Sequence, residues 1–588
     1  MEKPNIGFVR NDSGRHDFED WLLGAGGTIA VDTETTGLDV WHDRVRVVQF
    51  GDEYNGFAIP VEGPTQRFGE NVVRWAMWLM NGNKKELVAH RMKFDIQFLR
   101  NAGFNTAAIR QDSKASSHLL NPATSGLKEA AAERFGGWVL EGEAAKNEAF
   151  KKARVNWETV PIDNYEYLYY AALDPCLAAA VHDNNAGTIA THYQDLYEME
   201  CEVALALVEA EQVGLHVDTD YCWEQLEVLE TEIIELEEEY GELNLGSVQQ
   251  VASVLTDAGY KLPRTAPSTR FPKGQPQVTE EVLEDISFKN PGASGQFARD
   301  ALQYRRLGRN AGTYFGSYLD LQIDGKIHTF IDTLGARNGR MSSRTPNLQN
   351  VPKRREGDYV RRAFYAPEGF KIVSADYAQI EYRIFAAAAR EPDMVQAILD
   401  GKDLHAVTAQ IVYDDPDIDE DDPRRDNAKN GNFAEIYMAG IPKFAKTAGI
   451  SVAEATTFRT KYHQKFKQVK PFTQEVMKYA QANGLAVESK FGRRIPVDYD
   501  RVYAAVNYLI SSTAADVLKR GIRKISRTPW IEYYRLPIHD ENIFVVPDEL
   551  VSQAVKEIPE LMEDRETFSV PIEADVKVMQ RWGSKEAA

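Results

Sequence analysis

The run Leu536 to Val546, LPIHDENIFVV, constrains the fold more than any other stretch, because three polar residues interrupt what otherwise reads as a buried strand. A buried carboxylate without a partner is strongly disfavoured, so His539, Asp540 and Glu541 predict the tip of a hairpin with apolar arms. A second run complements it. FKIVSADYAQIEYRIFAAAA predicts a strand from Ile372 to Ala375 that delivers Asp376 at its end, then a helix with Glu381 and Arg383 near its start. Two aspartates on separate strands can grip a pair of magnesium ions for in-line phosphoryl transfer, which would explain why the hairpin is interrupted.

The first 185 or so residues alternate strand-like segments (GTIAVDTETTGL, VRVVQFGDEYNGFAIPV) with helix-like ones (ENVVRWAMWLMNG, LKEAAAERFG), an α/β pattern. Within VDTETTGL, period-two geometry puts Asp32 and Glu34 on one face. Side by side they are tolerable with a divalent cation or a shared proton between them; a solvated strand edge would account for the pair equally well. Further acids favour the cation. Asp95 lies among apolar neighbours in VAHRMKFDIQFL, and YEYLYYAALDPCLAAAV sets Tyr170 and Asp174 one helical turn apart.

From about Thr191 the pattern turns helical, and Leu226, Leu229, Ile233, Leu236 and Tyr240 form the seam of a helix pair. KLPRTAPSTRFPKGQPQ, from Lys261 to Gln277, has basic residues and no acids, and reads as a mobile linker or a segment that touches a polyanion. Later, Arg425, Lys429, Phe433 and Tyr437 recur every four residues on a predicted helix. Two cations followed by two aromatics suit a triphosphate grip leading to a sugar and base platform, although an ordinary amphipathic helix with a basic end has the same pattern. The formal charge of -21 would count against a nucleic-acid partner if it were spread evenly, but metal-holding carboxylates contribute to it and one cleft can stay basic. No run of about 18 apolar residues and no signal peptide is present. Cys176, Cys201 and Cys222 form no CxxC, which suits a reducing, cytoplasmic setting.

The set Asp32, Glu34, Asp95, Asp174 and Tyr170 resembles the DnaQ-like 3′–5′ exonucleases of the DEDDy subgroup, over roughly residues 20 to 185. The resemblance implies phosphodiester hydrolysis with two metal ions held by the acids and a water oriented by Tyr170. The family usually has Asn where this chain has Arg91. From about residue 200 onward the chain resembles the family A DNA polymerases, the DNA polymerase I type. DYAQIEYR is similar to motif A, RDNAKNGNFAEIY to motif B and HDE to motif C; GRMSSRTPNLQNVP resembles the segment leading into the palm, and TAADVLK the helix before motif C.

This second resemblance implies an α/β multi-domain chain: an RNase H-like exonuclease domain at 1–190, then a right-hand polymerase with a thumb at 191–325, a palm at 326–390 and 503–588, and fingers at 391–502. It implies primer extension with dNTPs on a DNA template, with two magnesium ions per site and manganese as the alternative. Asp376, Asp540 and the Tyr377 carbonyl would be the metal ligands. Arg425 and Lys429 would hold the triphosphate, with Lys429 also protonating the pyrophosphate, and Phe433 would pack on the sugar. Glu381 with Tyr437 would exclude a 2′-hydroxyl. Arg340, His539, Asn507 and Arg383 would contact DNA.

Ala434, Ser511 and Tyr503 depart from the family's usual Gly, Gln and Arg, the last two at positions that usually touch duplex DNA. A single-stranded 3′ end would occupy the exonuclease site. The chain starts directly at the exonuclease, with no 5′ nuclease expected, a layout that resembles bacteriophage members working as monomers in a bacterial cytoplasm beside a helicase and a single-strand-binding protein. Two other readings are a nuclease whose C-terminal half only binds nucleic acid, and an inactive clamp. The separated aspartates and the Arg-Lys-Phe-Tyr stripe speak against the first, and the intact carboxylates against the second.

Overall fold

The computed structural model describes residues 1–352, 357–419 and 421–583. Its N-terminal part is built on a six-stranded mixed sheet in the order Asn5–Phe8, Asn55–Pro60, Val45–Gly51, Ile29–Thr35, Leu87–Ala89 and Ile109–Asp112. The apolar runs IAV and VRVV fill its centre and are buried throughout, as expected of strands covered on both faces. The helix Tyr165–Thr188 crosses this sheet, and Gly56 lets it close in: a Cβ there would stand 2.1 Å from the Ala172 carbonyl oxygen.

A π-helical step, Ile189–Tyr193, leads into the connecting helix Gln194–Val213. The helices Thr219–Tyr240, Val248–Asp257, Glu280–Lys289 and Ala293–Arg309 follow as a helical arm. The predicted seam is there: Leu229 and Leu236 are buried, and Leu226, Ile233 and Tyr240 pack against the core partly buried. The Tyr240 hydroxyl donates to Asp300 Oδ2 at 2.6 Å, fastening the first helix to the last. The segment 261–277 folds back on itself as a closed loop, with the Thr265 N–H on the Gln275 carbonyl at 2.9 Å and the Gln277 N–H on the Pro263 carbonyl at 2.7 Å.

The C-terminal sheet is antiparallel, in the order Tyr534–Ile538, Glu541–Pro547, Phe370–Tyr377 and Ala574–Met579. The helix Val551–Met562 packs on this sheet, and Ala504–Ser526 packs on that helix and on Gln194–Val213. Two expectations need correcting. The strand expected to end at Ala375 continues through Tyr377, because Ala574–Met579 pairs with it as far as Tyr377↔Ala574. The hairpin tip consists of His539 and Asp540 alone, since Ile538 already pairs with Glu541 and two-residue loops are the favoured hairpin connection. Glu541 is a buried strand residue that accepts from Ser374 Oγ at 2.5 Å and lies 3.6 Å from Arg361.

Candidate active sites

In the N-terminal sheet, Asp32 and Glu34 share one face of their strand and Asp174 comes from the crossing helix, so that one carboxylate oxygen of each lies within 4.8 Å of the others. Hard oxygen donors grouped this tightly suit magnesium or manganese. Burial pushes Asp32 up to about 6 and, with the charge of Asp32 added, Glu34 up to about 8, as like charges withdrawn from water require. Asp95 stands beside this trio, buried on the helix Met92–Asn101 and accepting from Thr33 Oγ1 at 2.7 Å. Burial first, and Asp32 second, push its carboxyl well up. Arg91 caps the start of that helix in the left-handed region at φ 66°, with its side chain exposed and its N–H on Asp112 Oδ1 at 3.0 Å.

Two lysines that sequence reasoning missed enter this site. Lys128, on the helix Leu127–Phe135, forms an ion pair with Asp174 and stands 4.5 Å from the Tyr170 ring centroid. Lys146, on Glu141–Ala153, stands 4.3 Å from the same centroid. Two ammonium groups thus stand close to the Tyr170 ring, each attracted by its quadrupole. Burial pushes Lys128 down to about 8, and Asp32 and Glu34 draw it back. In the sequence Lys128 is the one lysine of its helix and Lys146 is one of three on its own, patterns too common to single out.

At the second site the Tyr377 N–H donates to the Asp540 carbonyl at 3.1 Å, bringing the end of the Phe370–Tyr377 strand against the hairpin tip. Asp376 and Asp540 therefore leave neighbouring strands at the same end of the sheet. A cavity of about 1240 Å³ opens here, with Asp376, Tyr377, Arg425 and Lys429 in its wall. The last two come from the helix Pro423–Ile436 with Phe433; Tyr437 lies just past its end, its N–H still on the Phe433 carbonyl at 2.8 Å and its ring centroid 6.3 Å from that of Phe433.

Arg340 pairs with the buried Glu381, and Arg340 and Asn507 lie beside the Tyr437 hydroxyl, whose pKa is raised by burial and then by Glu381. Four predicted residues from separate segments thus form one cluster. His539 occupies the tip at φ 53°. Arg383 lies outside this cluster but lines the same cavity as Asp376, Arg425 and Lys429, donating to Glu573 at 2.9 Å and to the Pro571 carbonyl at 2.8 Å. Of the departures, Ser511 is buried and accepts from Asn338 Nδ2 at 2.9 Å, Ala434 is buried, and Tyr503 is exposed.

A family model described as DNA polymerase family A matches residues 216–584, and one described as 3′–5′ exonuclease matches residues 9–184. The DNA polymerase of Mycobacterium phage D29 is 29% identical over 98% of this chain and 97% of its own length. DNA polymerase I of Pseudomonas aeruginosa is 29% identical over 96% of this chain and 64% of its own. The fold is that of the POL domain of Pol1 from M. smegmatis, solved in complex with a DNA primer-template and dNTP, with a TM-score of 0.80, 22% identity and coverage of 98% of this chain and 99% of that one. The architecture is therefore an exonuclease domain followed by a right-hand polymerase domain. Enzymes of both kinds use divalent metals, for which the carboxylates of Asp32, Glu34 and Asp174 are suited. Among the described residues no helix is long and apolar enough to cross a membrane. With the polymerase match spanning more than half of the chain, from the helical arm through the motif B helix to the strand beyond the hairpin, the chain belongs to the family A DNA polymerases, as a DNA-directed DNA polymerase that also carries a 3′–5′ exodeoxyribonuclease.

Proposed function

We propose that this enzyme extends a primer 3′ end on a DNA template with two magnesium ions at its polymerase site, and proofreads with two at its exonuclease site, in the replication of bacteriophage DNA. The observation that carries the reading is the Tyr377–Asp540 hydrogen bond, which joins the two aspartate-bearing strand ends beside the cavity containing Arg425 and Lys429. Asp376, Asp540 and the Tyr377 carbonyl would hold the polymerase ions. Magnesium bound there supplies activation of the primer 3′-hydroxyl and neutralisation of the departing pyrophosphate.

The chain's own residues do the rest. Arg425 and Lys429 grip the triphosphate, Lys429 gives a proton to the pyrophosphate, and Phe433 packs on the sugar. Glu381 and Tyr437 close the space a 2′-hydroxyl would need, a role supported by their shared cluster with Arg340. Arg340, His539 and Asn507 meet the primer end and the minor groove. In the other site Asp32, Glu34, Asp95 and Asp174 hold the ions, and Tyr170 orients the attacking water beside a single-stranded 3′ end. The division into exonuclease domain, thumb, palm and fingers at 190, 325, 390 and 502 belongs to the same proposal, as do a monomeric state, the bacterial cytoplasm, and a helicase and single-strand-binding protein as partners.

The test is a 5′-labelled primer-template with magnesium. Asp540→Ala should lower extension on the order of a thousandfold, since metal stabilisation contributes several kcal/mol, and leave shortening without dNTPs intact. Asp32→Ala should do the reverse. If either single change removed both activities, two independent sites would be refuted.

A further inference from the structure

Arg425 is held by a carboxylate that no sequence motif pointed to. Asp403 caps the helix Leu404–Tyr413, its Oδ1 accepting the Ala406 N–H at 2.6 Å. The same oxygen accepts Arg425 Nε at 3.0 Å, and Oδ2 accepts Arg425 Nη2 at 2.6 Å and Gln379 Nε2 at 2.6 Å. Gln379 belongs to the left-handed turn (φ 49°) that follows Asp376 and Tyr377. One side chain therefore ties the exit of the palm strand to the helix that bears the triphosphate cations.

The Asp403 side chain is 7% exposed and that of Arg425 20%, and both line the cavity of about 1240 Å³. The carboxylate is thus the buried anchor, and the guanidinium, engaged along its Nε–Nη2 edge, is the more exposed partner. We infer that Asp403 is a positioning residue for nucleotide binding, holding Arg425 where the triphosphate of the incoming dNTP meets it. An arginine ordered in advance loses less rotamer freedom when the anion arrives. The inference rests on the assignment of Arg425 to the triphosphate.

The experiment measures dNTP KM and kcat for primer extension in an Asp32→Ala background, with Asp403→Asn, Asp403→Ala, Arg425→Ala and the double variant Asp403→Ala/Arg425→Ala. Asn caps a helix as well as Asp, so Asp403→Asn keeps the fold while removing the charge. Both Asp403 variants should raise KM about tenfold with kcat within about twofold, and the double variant should be no worse than Arg425→Ala alone. A wild-type KM in Asp403→Asn beside a raised KM in Arg425→Ala would overturn the inference and leave the Arg425 assignment standing, and so would additive effects in the double variant. A wild-type KM in Arg425→Ala would remove the assignment itself, and the inference with it.

Discussion

The ammonium of Lys128 lies among Asp32, Glu34 and Asp174, so it competes with any other cation for the same negative charge. Unit charges about 4 Å apart interact by about 4 kcal/mol at an effective dielectric of about 20, an upper bound that water lowers. Lys128→Met should therefore tighten Mn²⁺ binding at this site by about tenfold or more, while Lys128→Arg stays near wild type. Paramagnetic resonance of Mn²⁺ reads this directly in a protein whose other site is silenced by Asp376→Ala and Asp540→Ala. Weaker binding in Lys128→Met would mean that the lysine chiefly holds Asp174 in place. At this scale the sequence was legible where geometry is local: period two pairs Asp32 with Glu34, and an interrupted apolar run marks Asp540. Lys128, Lys146 and Asp403 were not legible, because what each touches depends on how one helix docks on distant segments.

Among the elements, the helix Gln194–Val213 carries an ionic cluster with almost no solvent around it. Glu200 receives Lys519 Nζ at 2.7 Å and also pairs with Arg493, which lies 2.7 Å from Asp516. Removing one member of a buried set leaves charges uncompensated, so Glu200→Ala should destabilise the protein by about 3–5 kcal/mol in urea unfolding. A loss within about 0.5 kcal/mol, the size of an ordinary surface change, would mean that water replaces the carboxylate. Glu200 sits in EMECEVALALVEAEQV, where an acid on an amphipathic helix reads as solvent-facing; its partners are roughly 300 residues away. The same cause limits strand ends. Apolar periodicity placed the strand bearing Asp376, but its extension to Tyr377 depends on Ala574–Met579, which no local pattern announces.

Across the whole molecule, the exonuclease domain is fastened to the rest of the chain by Lys114 on Asp332 at 3.0 Å, by Lys93 on Glu211 of the connecting helix, and by Trp41 against His328 with ring centroids 4.1 Å apart. Burial alone would raise the Asp332 carboxyl; Lys114 and the Leu334 N–H hold it below its ordinary 3.8. A carboxylate with a depressed native pKa adds stability above its unfolded value and loses it as pH falls through the native one. Asp332→Asn should thus cost about 1–2 kcal/mol near neutral pH, and its unfolding curves should converge with wild type as the medium falls below pH 3.8. Curves that stay parallel into stronger acid would assign the loss to packing. These fastenings join the parts of the chain that carry the two carboxylate sites, and if both sites act as proposed a 3′ end would have to travel between them. Under that proposal each added nucleotide would enter a race between the next addition and the fraying of the last base pair, and a mispaired end, which frays sooner, would lose that race without the protein having to recognise the error.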